Sequence, residues 1–243
     1  MDPQIMSIED ASLWQLVRSQ MGNSPQILQD SHRLQDVLAQ RRTDTVSYFG
    51  TIGGEWDAVR RDLFGDHFTD EALLSLIPPD WTIADLGCGT GELTARLASI
   101  VRSVQAVDMS EAMLKAAKTR LTNFENVEFH IGDLLSIPLK DGAVDAACAS
   151  LVLHHIGEVE RALGEMVRIV RPKSGMVLII EMMEHDREEY RRQMGHQHLG
   201  FNPDKLKELM EHAGLCDIRY RVLTSTGEAK GPDLFVIVGI RGE

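Results

Sequence analysis

Positive charge is scarce in this sequence. Its 243 residues include 25 lysines and arginines against 37 aspartates and glutamates, which gives a formal net charge of −12. Proteins that bind nucleic acid need a basic surface, because binding displaces the counterions of the phosphates. We therefore expect no nucleic-acid binding by this chain alone and no attachment to an anionic membrane.

Cysteines and long apolar runs are also few. The 3 cysteines, Cys88, Cys148 and Cys216, are too few and too scattered for a disulfide framework or a cysteine-based zinc site. The longest apolar stretches, such as MVLII, have the length of a strand and are far shorter than a membrane span. The segment MDPQIMSIED has no apolar core of the kind found in signal peptides. These features predict a cytoplasmic protein without a membrane span.

The first part of the chain has a helical pattern without strands. Apolar residues recur at helical spacing in two segments, around Leu13–Met21 and around Leu34–Leu38. We predict a helical extension over residues 1–47, followed by a second domain over residues 48–243. The extension would serve as a linker, as a lid or as the contact of a homodimer.

From Trp81 onward, short apolar runs alternate with helical patterns. The predicted strands are Thr82–Leu86, Ser103–Val107, Val127–Ile131, Ala143–Ser150, Met176–Met182, Asp217–Leu223 and Leu234–Ile240. Helices are predicted over Trp56–Phe64, Asp70–Ile77, Glu92–Ile100, Ser110–Leu121, Val159–Val170 and Pro203–Ala213. This alternation predicts an α/β, Rossmann-like fold with a seven-stranded, mostly parallel sheet. Because only a turn joins the last two strands, the last strand should be antiparallel.

Three glycines follow the first predicted strand in the stretch DLGCGTG, namely Gly87, Gly89 and Gly91. Glycines at this place allow a tight turn and let the backbone contact a ligand. Glu92 stands where a dinucleotide-binding loop has its third glycine, and no Gly-Lys-Ser/Thr follows. A carboxylate there is unfavourable beside a pyrophosphate. The ligand should therefore be a cationic or zwitterionic nucleoside, and a nicotinamide-dependent oxidoreductase is disfavoured.

Acidic residues end three successive strands. They are Asp85, Asp108 and Asp133. Asp108 lies about 20 residues beyond the first glycine, where a carboxylate can accept both ribose hydroxyls. Asp133 could accept from the exocyclic amine of a purine, with Met109 and Leu134 on the two faces of the ring.

Four segments together resemble the class I S-adenosylmethionine-dependent methyltransferases, of the type 11 group that includes quinone C-methyltransferases. The segments are IADLGCGTGELTARLA, AVDMSEAMLKAA, HIGDLLSIPL and DAACASLVLHHIGEVERALGEMVRIVRPKSGMVLIIE. The resemblance implies S-adenosylmethionine as the cofactor and a small molecule as the methyl acceptor. It also implies that the methionine part, the ribose and the adenine contact Asp85, Gly87, Gly89, Gly91, Asp108, Met109, Asp133, Leu134, Ser150 and Leu151.

The flanking segments carry a narrower resemblance. SYFGTIGGEWD and EYRRQMGHQHLGFNPDKLKELMEHAGL are similar to methyltransferases that are fused to a winged helix of the arsenical-repressor type. ASLWQLVRSQM and SHRLQDVLAQRR resemble the segment that joins the two parts of such fusions. The chain thus resembles the methyltransferase part of a fusion, or a relative without the winged helix.

Histidines are the candidate catalytic groups. His154 and His155 follow the fourth predicted strand, next to the expected methyl group. A sulfonium donor is already activated, so a general base is needed only where the acceptor must lose a proton. We predict His154 and His155 as catalytic residues, with lining of the pocket as the alternative. Further candidate bases are Glu181, His185, His196 and His198.

The alternating pair His196 and His198 has no evident third ligand, so the sequence predicts no metal site. The predicted function is methyl transfer from S-adenosylmethionine to an unidentified small molecule. One alternative is a C-methyltransferase of a quinone ring, which requires an apolar acceptor pocket. The other is a non-catalytic regulatory module that senses S-adenosylmethionine and dimerises through its N-terminal helices.

Overall fold

The computed structural model describes residues 25–42, 53–65, 67–223 and 229–243. The chain divides into two compact units, Met1–Thr69 and Asp70–Glu243. The first predicted helical segment lies outside the described residues. The boundary at residue 47 also falls among residues that are not described, so the division into 1–47 and 48–243 stays a prediction.

The first unit contains two described helices, α1 (Pro25–Arg42) and α2 (Trp56–Phe64). On α1, Leu34 and Val37 are apolar yet 58% and 45% exposed. The bounds of α2 are those predicted, and the helix ends at Gly65, whose φ of 78° favours glycine.

A third helix, α3 (Phe68–Leu74), lies at the division between the units. The sequence pattern predicts that it continues to Ile77, just before two prolines. The last residues instead form tight turns, in which the amide of Ser75 donates to the carbonyl of Ala72 at 3.1 Å.

The second unit is built on a seven-stranded sheet. Its strands are β1 (Thr82–Leu86), β2 (Ser103–Asp108), β3 (Val127–Ile131), β4 (Ala146–Ser150), β5 (Met176–Met182), β6 (Leu215–Leu223) and β7 (Leu234–Arg241). Their order across the sheet is β3-β2-β1-β4-β5-β7-β6. The first five strands pair in parallel, and β7 is antiparallel to both β5 and β6. The predicted sheet, with its antiparallel last strand, is confirmed.

β1 and β4 lie at the middle of the sheet, and all but one residue of each is buried. Strands buried along almost their whole length are typical of a parallel sheet that is covered on both faces. Neighbouring residues of β1 accordingly belong to different core clusters: Ile83 packs with Leu97 and Val104, whereas Ala84 packs with Leu163 and Phe235.

Five helices among the described residues surround this sheet. They are α4 (Glu92–Ala98), α5 (Glu111–Arg120), α6 (Val159–Ile169), α7 (Glu189–Met194) and α8 (Pro203–His212). The sequence patterns did not predict α7 or the single 3₁₀ turn at Leu153–His155. Of the helices in the described ranges, none is long and apolar enough to cross a membrane.

Candidate active site

The carboxyl ends of β1, β2 and β4 lie side by side, because β1 pairs in parallel with both neighbours. After β1 the chain forms β2 and then β3 on one side of β1, and it then crosses to form β4 on the other side of β1. In open α/β sheets, ligands bind at the carboxyl edge where the strand order reverses in this way.

The glycine loop, residues 87–91, follows β1 at this edge. Gly87 has a φ of 68°, and a Cβ atom there would lie 2.5 Å from Cγ2 of Val152. No larger residue fits at that position. Gly89 also has a positive φ, of 54°, but a Cβ there would meet no atom within 4 Å. The space beside the Gly89 backbone is therefore open to a ligand.

The carboxylate of Asp108, at the end of β2, holds this loop. Its Oδ2 accepts from the amide of Gly89 at 2.8 Å, and its Oδ1 accepts from the amide of Ser110 at 2.8 Å. Asp108 is only 8% exposed. Each carboxylate oxygen can accept more than one hydrogen bond, so acceptor capacity remains for the hydroxyls of a ribose.

Asp85, the fourth residue of β1, is almost fully buried. Its Oδ2 accepts from the hydroxyl of Thr94 on α4. Burial raises the pKa of Asp85 from 3.8 to about 6, and the hydrogen bond from Thr94 opposes this rise. A cation beside Asp85 would therefore stabilise the charged form of this carboxylate.

The predicted adenine contacts differ in exposure. Met109 is 73% exposed, and Asp133 is an exposed residue whose Oδ1 accepts from the amide of Leu135 at 3.0 Å. Leu134 is 4% exposed, and its side chain packs in the largest core cluster. Met109 thus offers an exposed apolar face, and the Leu134 side chain does not.

Ser150 ends β4, and Leu151 follows it with a φ of 54°. This left-handed conformation costs a leucine about 1–2 kcal/mol, and such strain often occurs at functional sites. The conformation is supported by a hydrogen bond from the Leu151 amide to the carbonyl of Ile180 on β5, at 2.9 Å. Leu151 is 43% exposed and lines a cavity.

This cavity has a volume of about 560 Å³, which is in the range of small-molecule sites. Apolar side chains from β5, β6, β7 and α7 form most of its wall, and one part of the wall is a group of three histidines. The lining residues are Leu151, His154, His155, Met182, Tyr190, Met194, His196, Leu223, Ala229, Gly231, Pro232 and Leu234.

A buried carboxylate holds one of these histidines. Nδ1 of His154 lies 3.0 and 3.1 Å from the two carboxylate oxygens of Glu181 on β5, and Glu181 is fully buried. The Glu181 carboxylate also accepts from the amide of Met182 at 3.1 Å. An acceptor at Nδ1 places the proton there and leaves the lone pair on Nε2 of His154.

The rings of His155 and His196 join His154 in a group that we call the histidine cluster. The ring of His154 lies 4.2 Å from that of His155 and 4.1 Å from that of His196, measured between centroids. The backbone explains the approach of the distant residue, because the amides of Gln197 and His198 donate to the carbonyl of His154 at 2.8 and 3.0 Å.

Desolvation favours the uncharged form of two histidines of the cluster, His155 and His196. The pKa of His196 is lowered from 6.5 to about 4. The main cause is desolvation by burial, and the neighbouring His154 and His155 lower this pKa further. Desolvation and His154 also lower the pKa of His155. Neutral imidazoles can accept a proton or bind a metal ion.

His198 is not part of the cluster, although it is paired with His196 in the sequence. Its Nε2 lies 3.0 Å from the carbonyl oxygen of Ile156. The structure therefore brings His196 together with His154 and His155. That the chain holds no metal stays a prediction from the sequence.

Comparison with known proteins identifies the kind of domain. Residues 84–179 match the family described as "Methyltransferase domain". The ubiquinone/menaquinone biosynthesis C-methyltransferase UbiE of Escherichia fergusonii is 28% identical over 231 residues, which cover 79% of this chain and 90% of that protein. These matches and the fold support a class I S-adenosylmethionine-dependent methyltransferase.

Other similarities to this methyltransferase are shorter or structural. A 37.1 kDa protein of a Streptomyces fradiae transposon is 36% identical over 103 residues, and these span 30% of its length. A Methanosarcina mazei methyltransferase has a TM-score of 0.57 at 20% identity, over 70% of this chain and 96% of that chain. Haemonchus contortus phosphoethanolamine N-methyltransferase 2 has a TM-score of 0.61 at 16% identity, over 76% of this chain and 56% of that chain.

The comparisons support S-adenosylmethionine as the cofactor of this methyltransferase. The carboxyl edge of the sheet fits that group. The backbone at Gly89 is open, Asp108 retains acceptor capacity, and Asp85 is a buried carboxylate suited to a nearby cation. The methyltransferase domain and the C-methyltransferase relative favour an enzyme over a non-catalytic sensor.

Part of the cavity wall was missed by the sequence patterns. Tyr190 and Met194 lie on the unpredicted α7, and Leu223 and Leu234 lie at the ends of β6 and β7. Their apolar character was visible, but apolar residues at strand ends more often belong to a core. The strand order β5-β7-β6 and the helix that follows β5 bring these four side chains to one cavity.

Proposed function

We propose that this methyltransferase acts on an apolar small molecule that carries an ionisable hydroxyl, such as a phenol or an enol. The supporting observation is the apolar cavity with His154 in its wall, held from behind by the buried Glu181. Apolar walls disfavour a charged acceptor, because its desolvation would be uncompensated. Nε2 of His154 is the atom that would accept a hydrogen bond from the one polar group that such an acceptor would bring.

The cofactor would lie across the carboxyl edge of the sheet. We propose that its methionine part contacts the glycine loop and Asp85, that its ribose binds Asp108, and that its adenine lies beside Met109 and Asp133. The methyl group would then point toward the cavity from Ser150 and Leu151. The full proposed set is Asp85, Gly87, Gly89, Gly91, Asp108, Met109, Asp133, Leu134, Ser150 and Leu151.

S-adenosylmethionine supplies an activated methyl group, so the protein has to align the acceptor and remove its proton. In our proposal, Nε2 of His154 accepts the proton of the acceptor hydroxyl. The Glu181 carboxylate fixes the orientation of the ring and stabilises the imidazolium that forms, as the buried carboxylate does in a catalytic triad. His155 would line the cavity beside the hydroxyl of the acceptor.

A quinone-ring C-methyltransferase is the second candidate, supported by the apolar cavity together with the similarity to the ubiquinone/menaquinone enzyme. The reduced ring of a quinone is a phenol. Loss of its proton makes both the oxygen and the adjacent ring carbon nucleophilic. The position of the new methyl group separates the two candidates: ring methylation favours the quinone enzyme, and oxygen methylation favours the first proposal.

We also propose that the protein is cytoplasmic, on the basis of its acidic charge balance and strand-sized apolar runs. A homodimer through the N-terminal helices would cover the exposed Leu34 and Val37 of α1. The similarity of the flanks to winged-helix fusions remains a resemblance only.

The experiment compares wild type with His154→Gln on a panel of apolar phenols and reduced quinones, and measures S-adenosylhomocysteine formation by mass spectrometry. We expect kcat to fall by about 10²–10⁴-fold, the usual contribution of a general base. The affinity for S-adenosylmethionine, measured by calorimetry, should be unchanged, because His154 acts on the acceptor. Both assays use protein that has been treated with a chelator.

His212→Gln is the matched control, since His212 is an exposed histidine at the end of α8. It should behave as wild type. A His154→Gln enzyme with wild-type kcat would contradict the assignment of the base. Turnover of charged or strongly polar acceptors alone would contradict the proposed acceptor class.

A further inference from the structure

The histidine cluster has the composition of a metal site. One ring nitrogen from each of His154, His155 and His196 can be chosen so that all three lie within 4.8 Å of one another. In a tetrahedral zinc site, bonds of about 2.0–2.1 Å place ligand nitrogens about 3.4 Å apart. Small rotations of the rings would therefore bring the nitrogens to a common ion.

A second observation points to a missing partner. Nδ1 of His196 has no hydrogen-bond partner within the protein, and it is shielded from water because the residue is only 7% exposed. A buried polar atom without a partner costs about 1–3 kcal/mol. A protein rarely keeps such an atom unless a ligand or a movement of the ring satisfies it.

The third observation is the carboxylate behind His154. Metal-binding histidines commonly donate their other ring N–H to a carboxylate, which fixes the tautomer and the direction of the ring. Glu181 stands in this relation to His154, at 3.0 Å from Nδ1, and it is fully buried. The lone pair of His154 on Nε2 is thereby directed away from Glu181.

We propose that His154, His155 and His196 bind one divalent ion of the zinc class, with Glu181 as the carboxylate that orients His154. Three imidazoles suit such ions, which prefer nitrogen ligands to the oxygen ligands of magnesium and calcium. The fourth position faces the cavity, as in zinc sites that keep one position for water or substrate. This site goes beyond the proposed methyl transfer, and its occupation does not depend on the acceptor.

The ion and the acceptor proton would compete for the same atom. While His154 binds a metal ion through Nε2, that lone pair cannot take a proton from a hydroxyl. The metal-bound and the metal-free protein are therefore two distinct forms, and the binding experiment is carried out without S-adenosylmethionine or acceptor.

The test is calorimetric titration with Zn²⁺ of chelator-treated protein that carries no polyhistidine tag. A parallel titration with Co²⁺ follows the visible absorption of the four-coordinate ion. We expect one ion per chain, with loss of that binding in His196→Ala and in His155→Ala. Glu181→Gln should retain the site with about 10–100-fold weaker affinity, as for other carboxylates behind metal-binding histidines.

Two variants separate this site from adventitious binding. His198→Ala removes the neighbouring histidine that lies outside the cluster, and His212→Ala removes an exposed histidine on α8. Both should bind one ion with wild-type affinity. Circular dichroism and thermal unfolding check that each variant is folded, and His196→Gln replaces His196→Ala if the latter is not.

The absence of stoichiometric Zn²⁺ and Co²⁺ binding by folded wild type would overturn the proposal. Equal binding by wild type and a folded His196 variant would also overturn it. Neither result would touch the proposed base, because that rests on turnover by the metal-free form.

Discussion

Asp85 lies in the proposed cofactor site, and its burial there lowers the stability of the folded protein at neutral pH. Its pKa is raised by burial to about 6, whereas in the unfolded chain it would be near 3.8. Between these two pH values, the folded protein holds a proton that the unfolded chain has lost. The contribution of Asp85 to stability therefore falls as the pH rises through that window, and at pH 7 it is unfavourable.

We predict that Asp85→Asn raises the free energy of unfolding at pH 7, by at most about 3 kcal/mol, since one pKa unit corresponds to 1.36 kcal/mol. The gain should be smaller at pH 5, where the wild-type carboxyl is largely protonated. The Asn side chain can still accept from Thr94. Urea unfolding at both pH values, without cofactor, measures the effect.

Asp80→Asn is the matched control for this change, because Asp80 is exposed. It should leave the stability within about 0.5 kcal/mol of wild type. The Asp85→Asn protein should bind S-adenosylmethionine more weakly if Asp85 contacts its cationic part. A loss of stability at pH 7 would contradict burial as the cause of the raised pKa.

The two most informative contacts of the site could not be read from the sequence. His154 and His155 were found because they follow a strand at the expected edge. Their contacts with Glu181 and His196 depend on the pairing of β4 with β5 and on a loop that returns to the carbonyl of His154. Local spacing carries no information about such a return.

At the scale of an element, α8 illustrates how strongly local chemistry can specify a helix. Asn202 is its N-cap, and its Oδ1 accepts from the amides of Asp204 and Lys205 at 3.0 and 3.3 Å. Pro203 occupies the first turn, where its missing amide hydrogen costs nothing. These signals were visible in the sequence, and the helix begins where they predict.

We expect Asn202→Ala to lower the free energy of unfolding by about 1 kcal/mol, because two amides at the start of α8 lose their acceptor. Urea unfolding measures the change. Asn123→Ala, at an exposed position, is the control and should change stability by less than about 0.5 kcal/mol. An Asn202→Ala protein as stable as the control would show that water replaces the cap at no cost.

Elements with sharp ends were predicted best. The bounds of β1, β3 and β5 were correct: β1 and β3 are each followed by a glycine, and β5 begins after Gly175. β4 was expected from Ala143 but begins at Ala146. The amide of Val144 donates to the carbonyl of Ile169, the last residue of α6, and Val144 forms only an isolated bridge with Val170. The six-residue α7 was missed because it is too short to show a helical period.

At the scale of the whole molecule, the described parts of the candidate site lie within the second unit. The glycine loop, Asp108, the cavity and the histidine cluster all fall between Asp70 and Glu243. The seven strands and both main core clusters do so as well. This unit therefore has its own core and its own site.

We predict that a fragment comprising residues 68–243, which keeps α3 intact, folds by itself. It should unfold cooperatively on heating, with coincident transitions by far-UV circular dichroism and tryptophan fluorescence, as expected for an independent core. Trp81 is the fluorescence probe in this fragment. A broad, non-cooperative transition would show that residues before 68 are needed to complete the fold.

The position of β7 has a consequence for the order of events during synthesis. β6 emerges from the ribosome before β7, yet it joins the sheet only through β7, which lies between β5 and β6. Until β7 has been translated, β5 presents an apolar strand with one unpaired edge, and unpaired edges invite pairing with other chains. A nascent chain stalled between β6 and β7 would hold its first five strands in place and still need a chaperone to shield that edge.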